Sequence, residues 1–296
     1  MSRVVVVGDV LADVAVRLEQ ALAEDSDTPA AITLQPGGSA GNVASWLATL
    51  GVETTLVAVV GDDRLGRIQA EELVGVGVRT RLAILPGAAT GVVVALVGPD
   101  GRRSLVTSRA AAHRLRPEHL PADVFRPGRH LHLCGYVLCD PATRPAGLAS
   151  LVLARAAGMS ISVDPSSREP LRRAGTAAFR GWVRGADALL PNWEEGRLLT
   201  GRDEPGAIAT ELAHDHREVV LTLGPEGALW VGAGGLHREP ALPTTVVDTT
   251  GAGDAFAAGW LAGWLAGQTG AGPLHRGLAA AAVCVSRPGP RPRPPG

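Results

Sequence analysis

Val4-Val5-Val6-Val7-Gly8-Asp9 is an unbroken β-branched run closed by a turn signal. It reads as a strand buried on both faces, as the strands of parallel sheets are. Comparable runs follow at residues 55–60, 91–97, 130–134, 160–163, 188–190 and 219–223, with helix-patterned stretches at 42–50, 65–74, 142–157 and 194–200. Strand alternating with helix predicts an α/β fold, an open and mostly parallel sheet covered on both faces. Ligands of such sheets sit beyond the carboxyl ends of the strands. Residues 13–36 and 91–108 break the rhythm, the second alternating around the hairpin signal Gly98-Pro99-Asp100-Gly101. Together they are expected to form a small β lid on a single domain spanning residues 1–296. The tail from Arg287 holds five prolines and three arginines and is expected to be mobile beyond its first residues.

Composition excludes several classes. The chain has 296 residues, 46% hydrophobic and 19% charged, so it can bury a large core and is not disordered. A net charge of -1 gives no general pull toward nucleic acid or a membrane surface. No apolar run approaches the roughly 18 residues a bilayer span needs; residues 255–267 come nearest and contain three glycines. Met1-Ser2-Arg3 leads into the first strand with no signal-peptide pattern, so a cytoplasmic location is expected. Three cysteines, Cys134, Cys139 and Cys284, make no disulfide framework. All 28 basic residues are arginine. A P-loop lysine, a protein-kinase lysine and a Schiff-base lysine are therefore excluded.

Four stretches could carry chemistry. The first is Asp248-Thr249-Thr250-Gly251-Ala252-Gly253-Asp254, opening a small-residue helix. Glycines there let backbone N–H groups approach an anion, which the helix dipole favours, and Asp254 beside it could take a proton from an attacking hydroxyl. The same residues also read as a plain helix start capped by Thr249 or Thr250. The second is Pro36-Gly37-Gly38-Ser39-Ala40-Gly41-Asn42, again opening a helix. Asn42 offers donor and acceptors to hydroxyls, or serves as an N-cap. The third is Gly8-Asp9-Val10-Leu11-Ala12-Asp13, whose carboxylates could grip sugar hydroxyls or sit in a solvated loop with Asp9 as a cap. The fourth is Asn192-Trp193-Glu194-Glu195, where Asn192 and Glu195 share a helix face and could organise hydrated Mg²⁺, or form a capping box. His130-x-His132 and His214-x-His216 have metal-like spacing but no evident third ligand.

Taken together, these stretches resemble the ribokinase-like, or PfkB, family of carbohydrate kinases. Gly37-Gly38-Ser39-Ala40-Gly41-Asn42 is similar to the family's N-terminal signature, and Asp248-Thr249-Thr250-Gly251-Ala252-Gly253-Asp254-Ala255-Phe256 to its C-terminal one. The resemblance runs from Val4 to about Gly289. It implies a three-layer α/β/α sandwich with a small β lid over the sugar, and phosphoryl transfer from ATP with Mg²⁺. By motif, Asp254 resembles the catalytic base, and the amides of Gly251, Ala252, Gly253 and Asp254 the anion hole. Asp13, Gly38, Ser39 and Asn42 resemble sugar-binding positions. Asn192 and Glu195 resemble the Mg²⁺- and phosphate-organising element, and Thr222, Gly224 and Gly227 the nucleotide-binding strand and turn. Many members also bind K⁺. Asp248 and the Thr250 carbonyl match that site, with carbonyls of Cys284, Arg287 and Gly289 as further ligands, although the loop here is unusually rich in proline.

A small sugar or sugar acid is the expected substrate, with Arg109 placed to meet a carboxylate. A nucleoside kinase is the main alternative. It is weakened because no Phe, Trp or Tyr falls in residues 13–36 or 91–108, where a base would stack. A phosphosugar kinase would need a cationic clamp, for which Arg102, Arg103 and Arg109 are at hand, though Arg102-Arg103 also reads as a solvated hairpin tip. An inactive sugar- or nucleotide-binding protein is the remaining alternative. The chain is expected to work as a monomer or as a homodimer formed through the lid.

Overall fold

The computed structural model describes residues 3–100 and 102–292, with the side chain of Arg103 outside the description. Thirteen strands are seen among them: β1 (Arg3–Val7), β2 (Leu11–Leu18), β3 (Ala30–Gly37), β4 (Glu53–Gly61), β5 (Arg79–Leu85), β6 (Gly91–Val97), β7 (Arg103–Ser108), β8 (Arg129–Cys134), β9 (Ser160–Asp164), β10 (Ala188–Leu189), β11 (Glu218–Thr222), β12 (Ala228–Gly232) and β13 (Gly235–Glu239). The helices are α1 (Ser39–Thr49), α2 (Arg64–Gly75), α3 (Tyr136–Cys139), α4 (Arg144–Ala156), α5 (Arg168–Ala174), α6 (Thr176–Val183), α7 (Trp193–Thr200), α8 (Pro205–Leu212), α9 (Ala252–Leu265) and α10 (Ala271–Val285).

Nine strands form one sheet in the order β13-β12-β11-β10-β9-β8-β1-β4-β5. Every pairing from β11 to β5 is parallel, and only the β11–β12 and β12–β13 pairings are antiparallel. β1 shows why its sequence carries no alternation. Val4 and Val6 enter a core shared with α1, α9 and α10, whereas Val5 and Val7 enter a second core built with α4, α6, α7 and α8. Both faces are dry, so every position must be apolar. This is the α/β fold that the sequence predicts.

The second sheet has the order β3-β2-β6-β7. The run at 91–97 therefore belongs to it and not to the main sheet, pairing with β2 and β7. Its two faces differ by register. Asp13, Val93, Leu105 and Thr107 point into a cavity, while the alternate positions Val14, Val94 and Val106 share the outer face with Ile32 and Leu34. The hairpin tip Gly101 lies outside the described residues.

Two helix starts differ from the bland readings of their sequences. α1 begins at Ser39, so Asn42 lies inside the first turn and is not its N-cap; the cap is Gly38, at φ 85°. α9 is capped by Gly251 at φ 76°, with no side-chain hydrogen bond, so neither Thr249 nor Thr250 caps it. A side chain at Gly251 would also collide with Pro290, 2.5 Å from its Cβ position. The tail departs from expectation as well. It packs against the body as far as Pro292, with Arg291 buried, and residues 293–296 lie outside the description. The histidine pairs serve the scaffold. His130 bonds Ser160 and Ser162, His132 bonds Ser162, and His216 bonds the Ala186 carbonyl. Among the described residues no helix is long and apolar enough to cross a membrane.

α9 is the helix on which the site stands, and its core anchor is Trp260, 1% exposed and stacked on Trp264 at 5.3 Å. Trp260→Ala is expected to cost about 3–5 kcal/mol, read as a lower urea midpoint.

Candidate active site

The carboxyl ends of β1, β9, β10 and β11 and the inner face of the smaller sheet enclose a cavity of about 290 Å³. α9 points its N-terminus into it, with Thr249, Thr250, Gly251, Ala252, Gly253 and Asp254 in the wall. A helix leaves its first N–H groups without intrahelical acceptors. Here no side chain caps them, and a Cβ at Gly253 would meet nothing within 4 Å. The Ala252 amide donates to the Thr249 carbonyl at 3.3 Å, and no side chain covers the rest of the helix end, which faces the cavity.

Asp254 lies in that first turn. Its Oδ1 accepts from Ser39 Oγ at 2.7 Å and its Oδ2 from Asn42 Nδ2 at 2.8 Å. Burial lifts the carboxyl to about 6, the two hydrogen bonds pull against that, and the Asp9 charge adds to the rise. Ser39 and Asn42 are available because α1 starts at Gly38, whose positive φ lets the chain pass close to Asp9 and Val10.

On the sugar side of the sequence reading, Asp13, Gly38, Ser39, Asn42 and Arg109 all line this cavity. Arg109 is not a free cation. Its Nη1 donates to Asp9 Oδ2 at 2.9 Å, and its guanidinium lies 4.0 Å over the Tyr136 ring. Aromatic lining does exist, from Tyr136 and Phe256, neither of which belongs to the smaller sheet.

On the other side stand Asn192, Glu195 and Thr222. Asn192 and Glu195 form a reciprocal capping box, Oδ1 accepting from the Glu195 amide and Oε2 from the Asn192 amide, both at 2.9 Å. Glu195 is buried and pushed up to about 7, mainly by desolvation. Asp164, also lining the cavity, is raised by burial and then by the neighbouring charges of Glu195 and Asp254. Gly224 lines a second cavity of about 510 Å³, which shares Asn192 and Thr222 with the first and adds Trp193 and Arg238. Gly227 lines neither; at φ 96° it turns β11 into β12, where a Cβ would strike the Glu239 carbonyl.

Asp248, Cys284, Arg287 and Gly289 lie outside the wall of the first cavity. Asp248 Oδ1 accepts from the Thr250 amide and hydroxyl, and Oδ2 from the Gly289 amide at 3.1 Å. The Thr250 carbonyl accepts from Cys284 Sγ at 3.4 Å. Tyr136, Asp164, Ser166 and Arg291 belong to the site or its support, and the sequence reading missed all four. Ser166, at φ 75°, is held by its own amide donating to Asp164 Oδ1 at 2.6 Å. Asp164 alone had a legible signal, being an acid at the carboxyl end of a predicted strand.

A parallel sheet carrying an open helix N-terminus, a buried carboxylate and a polar cavity at its carboxyl edge defines an enzyme for small polar substrates. The chain belongs to the PfkB family of carbohydrate kinases, which matches it over residues 1–295. An ATP-dependent ribose-1-phosphate kinase of Halopiger xanaduensis is 31% identical over 99% of this chain and 95% of its own. An Escherichia coli fructokinase is 31% identical over 76% of each. The crystal structure of adenosine kinase from Sinorhizobium meliloti superposes with a TM-score of 0.88 at 28% identity, covering 98% of this chain and 96% of that one. This chain is a carbohydrate kinase.

The open space at Gly253 gives a split outcome for one methyl group. Gly253→Ala is expected to stabilise the protein by about 0.5–1 kcal/mol, as glycine-to-alanine changes in helices do. The same variant is expected to lose kinase activity, because the methyl group occupies the mouth of the helix. Urea unfolding and ADP release on the same preparation check both.

Proposed function

We propose that this enzyme transfers the γ-phosphoryl group of ATP to a hydroxyl of a small sugar or sugar acid, with Asp254 as general base. The observation that carries this reading is the pairing of an uncapped α9 N-terminus with a buried carboxylate in its first turn. The amides of Gly251, Ala252, Gly253 and Asp254 hold the γ-phosphoryl oxygens. Asp254 accepts the proton of the sugar hydroxyl as its oxygen bonds to the γ-phosphorus and the bond to the bridging oxygen of ADP breaks. Positioning and charge stabilisation suffice for such a transfer, and no lysine is required.

Asp13 from the smaller sheet and Asp9 from the end of β1 offer acceptors to sugar hydroxyls, with Gly38 and Asn42 also in the cavity wall. Arg109, already paired with Asp9, retains N–H donors for a substrate carboxylate. Asp9 and Asp13 beside one committed guanidinium suit a polyol better than a phosphorylated sugar. Arg109 covers one face of the Tyr136 ring, which leaves less aromatic surface for stacking a nucleoside base. Thr222 and Gly224 flank the second cavity as the nucleotide side.

Mg²⁺ fits the donor set, because Asp164 and Glu195 are buried carboxylates raised by desolvation, and a divalent cation would restore their ionised forms. Asn192 and Glu195 would hold it through water, where it neutralises phosphate charge. K⁺ fits less well. The Asp248 carboxylate and the Thr250 carbonyl already take hydrogen bonds from Thr250, Gly289 and Cys284. We assign these groups to holding the loop and route no step through K⁺.

Asp254→Asn is expected to lower kcat by about 10²–10⁴-fold, the usual worth of a general base. In the wild type kcat/KM rises with pH through about 6, since protonated Asp254 cannot accept the hydroxyl proton. Mg²⁺-ATP with pentoses, hexoses, sugar acids, phosphosugars and nucleosides, read by ADP release, identifies the acceptor. Turnover confined to nucleosides or phosphosugars overturns the sugar reading. Replacing K⁺ by Na⁺ or choline at constant ionic strength is expected to leave kcat unchanged, and a requirement for K⁺ would reverse the assignment of Asp248.

A further inference from the structure

The buried arginine of the C-terminal segment has no place in the chemistry described so far. We propose that Arg291 is a positioning residue, fixing the side-chain orientation of Asn42 toward Asp254 and pinning the base of the lid at Gly37. The proposal rests on the reading of Asp254 as the base.

Its contacts point one way. Arg291 Nε donates to Asn42 Oδ1 at 3.2 Å, and Nη2 donates to the Gly37 carbonyl at 2.6 Å. With Oδ1 accepting from a guanidinium, the Asn42 amide has one self-consistent orientation, and Nδ2 is the atom left to face Asp254 Oδ2. The chain Arg291–Asn42–Asp254 thus runs from the C-terminal segment to the base. Gly37 is the last residue of β3, so the second bond ties the same guanidinium to the point where the lid joins α1.

The molecule makes room for this. A Cβ at Gly41 would lie 2.3 Å from Arg291 Nη2, so glycine there admits the guanidinium. The segment is fastened on both sides of the preceding turn: Trp46 Nε1 donates to the Pro290 carbonyl at 2.9 Å, and the Gly289 amide to Asp248. Burying an arginine is costly unless it is used. Arg291 is 8% exposed, forms no ion pair among the described residues, and leaves Nη1 without a hydrogen-bond partner. Its charge is balanced at longer range by Glu72 from α2, Asp13 from β2, Asp254 from α9 and Asp9 after β1. Burial lowers it to about 10, so it remains a cation at neutral pH. That cation favours the ionised form of Asp254, against the burial and the Asp9 charge that oppose it.

The test compares Arg291→Met, Arg291→Lys, Gly41→Ala and Asp254→Asn by kcat/KM from pH 5 to 9. Arg291→Met keeps the volume and removes charge and hydrogen bonds. It is expected to move the acid limb upward by about one pH unit, the scale of losing one nearby charge, and to lower the plateau above that limb because the fork to Asn42 and Gly37 is gone. Arg291→Lys keeps the cation and is expected to return the limb toward the wild-type position while kcat stays low, because one ammonium cannot reproduce the fork to Asn42 and Gly37. Gly41→Ala, which displaces the guanidinium without deleting it, is expected to shift the limb in the same direction. An unshifted limb in Arg291→Met, with activity lost equally at all pH values, would show a purely structural tail and overturn the proposal. Asp254→Asn keeps the outcomes separate: full activity in that variant defeats the base assignment itself, whereas inactivity at every pH leaves the Arg291 comparison decisive.

Discussion

Ser39 Oγ and Asn42 Nδ2 each donate to one oxygen of the Asp254 carboxylate, and much of the architecture exists to let them do so. The carboxylate is buried, and burial raises it; the two hydrogen bonds oppose that rise and leave it at about 6. Those bonds join α1, near the start of the chain, to α9, near its end. The helices can meet because both begin at a positive-φ glycine and because α9 packs against α1 in one core. The parallel sheet supplies the platform, delivering Asp9, Asp164, Asn192 and Thr222 to the same edge.

The carboxylates at that edge repel one another, and the protein handles each differently. Asp9 meets Arg109. Asp248, outside the cavity wall, is filled by hydrogen bonds from Thr250 and Gly289. Asp164 and Glu195 are left raised by burial, the state from which binding a divalent cation releases protons most readily. The α9 N-terminus in the same cavity offers backbone donors and a dipole that favour negative charge. Acidic groups and a helix N-terminus together suit a ligand that brings its own cation and carries phosphate at one end and hydroxyls at the other.

Much of this was legible in the sequence, for physical reasons. A parallel strand buried on both faces is mostly apolar, so the runs at Val4, His130, Ser160 and Val219 announced the sheet, the buried His130 and His132 both bonding the buried Ser162. A helix end whose backbone donors stay accessible needs small residues, so Gly251, Ala252 and Gly253 beside Asp254 were readable. What escaped depends on tertiary packing. β5 and β13 are edge strands with exposed charged residues, Arg79, Arg81 and Arg238 among them, and neither is buried along its length as the central strands are. Ser166 adopts φ 75° in a residue type that gives no hint of it. Tyr136 acquires its meaning only when Arg109 lies on its ring. Arg291 sits in a segment whose prolines and arginines have the composition of a loose tail, yet contacts with Asn42, Gly37 and Gly41, some 250 residues away in sequence, bury it.

The central claim is that the state of one carboxyl group gates the reaction. Following the Asp254 side-chain carbon by NMR and kcat/KM in the same buffers, for the wild type and for Ser39→Ala, tests it most directly. The account predicts that both midpoints fall near 6 in the wild type and move up together when the serine's hydrogen bond is removed. A rate profile whose midpoint stays in place while the Asp254 titration moves would contradict it.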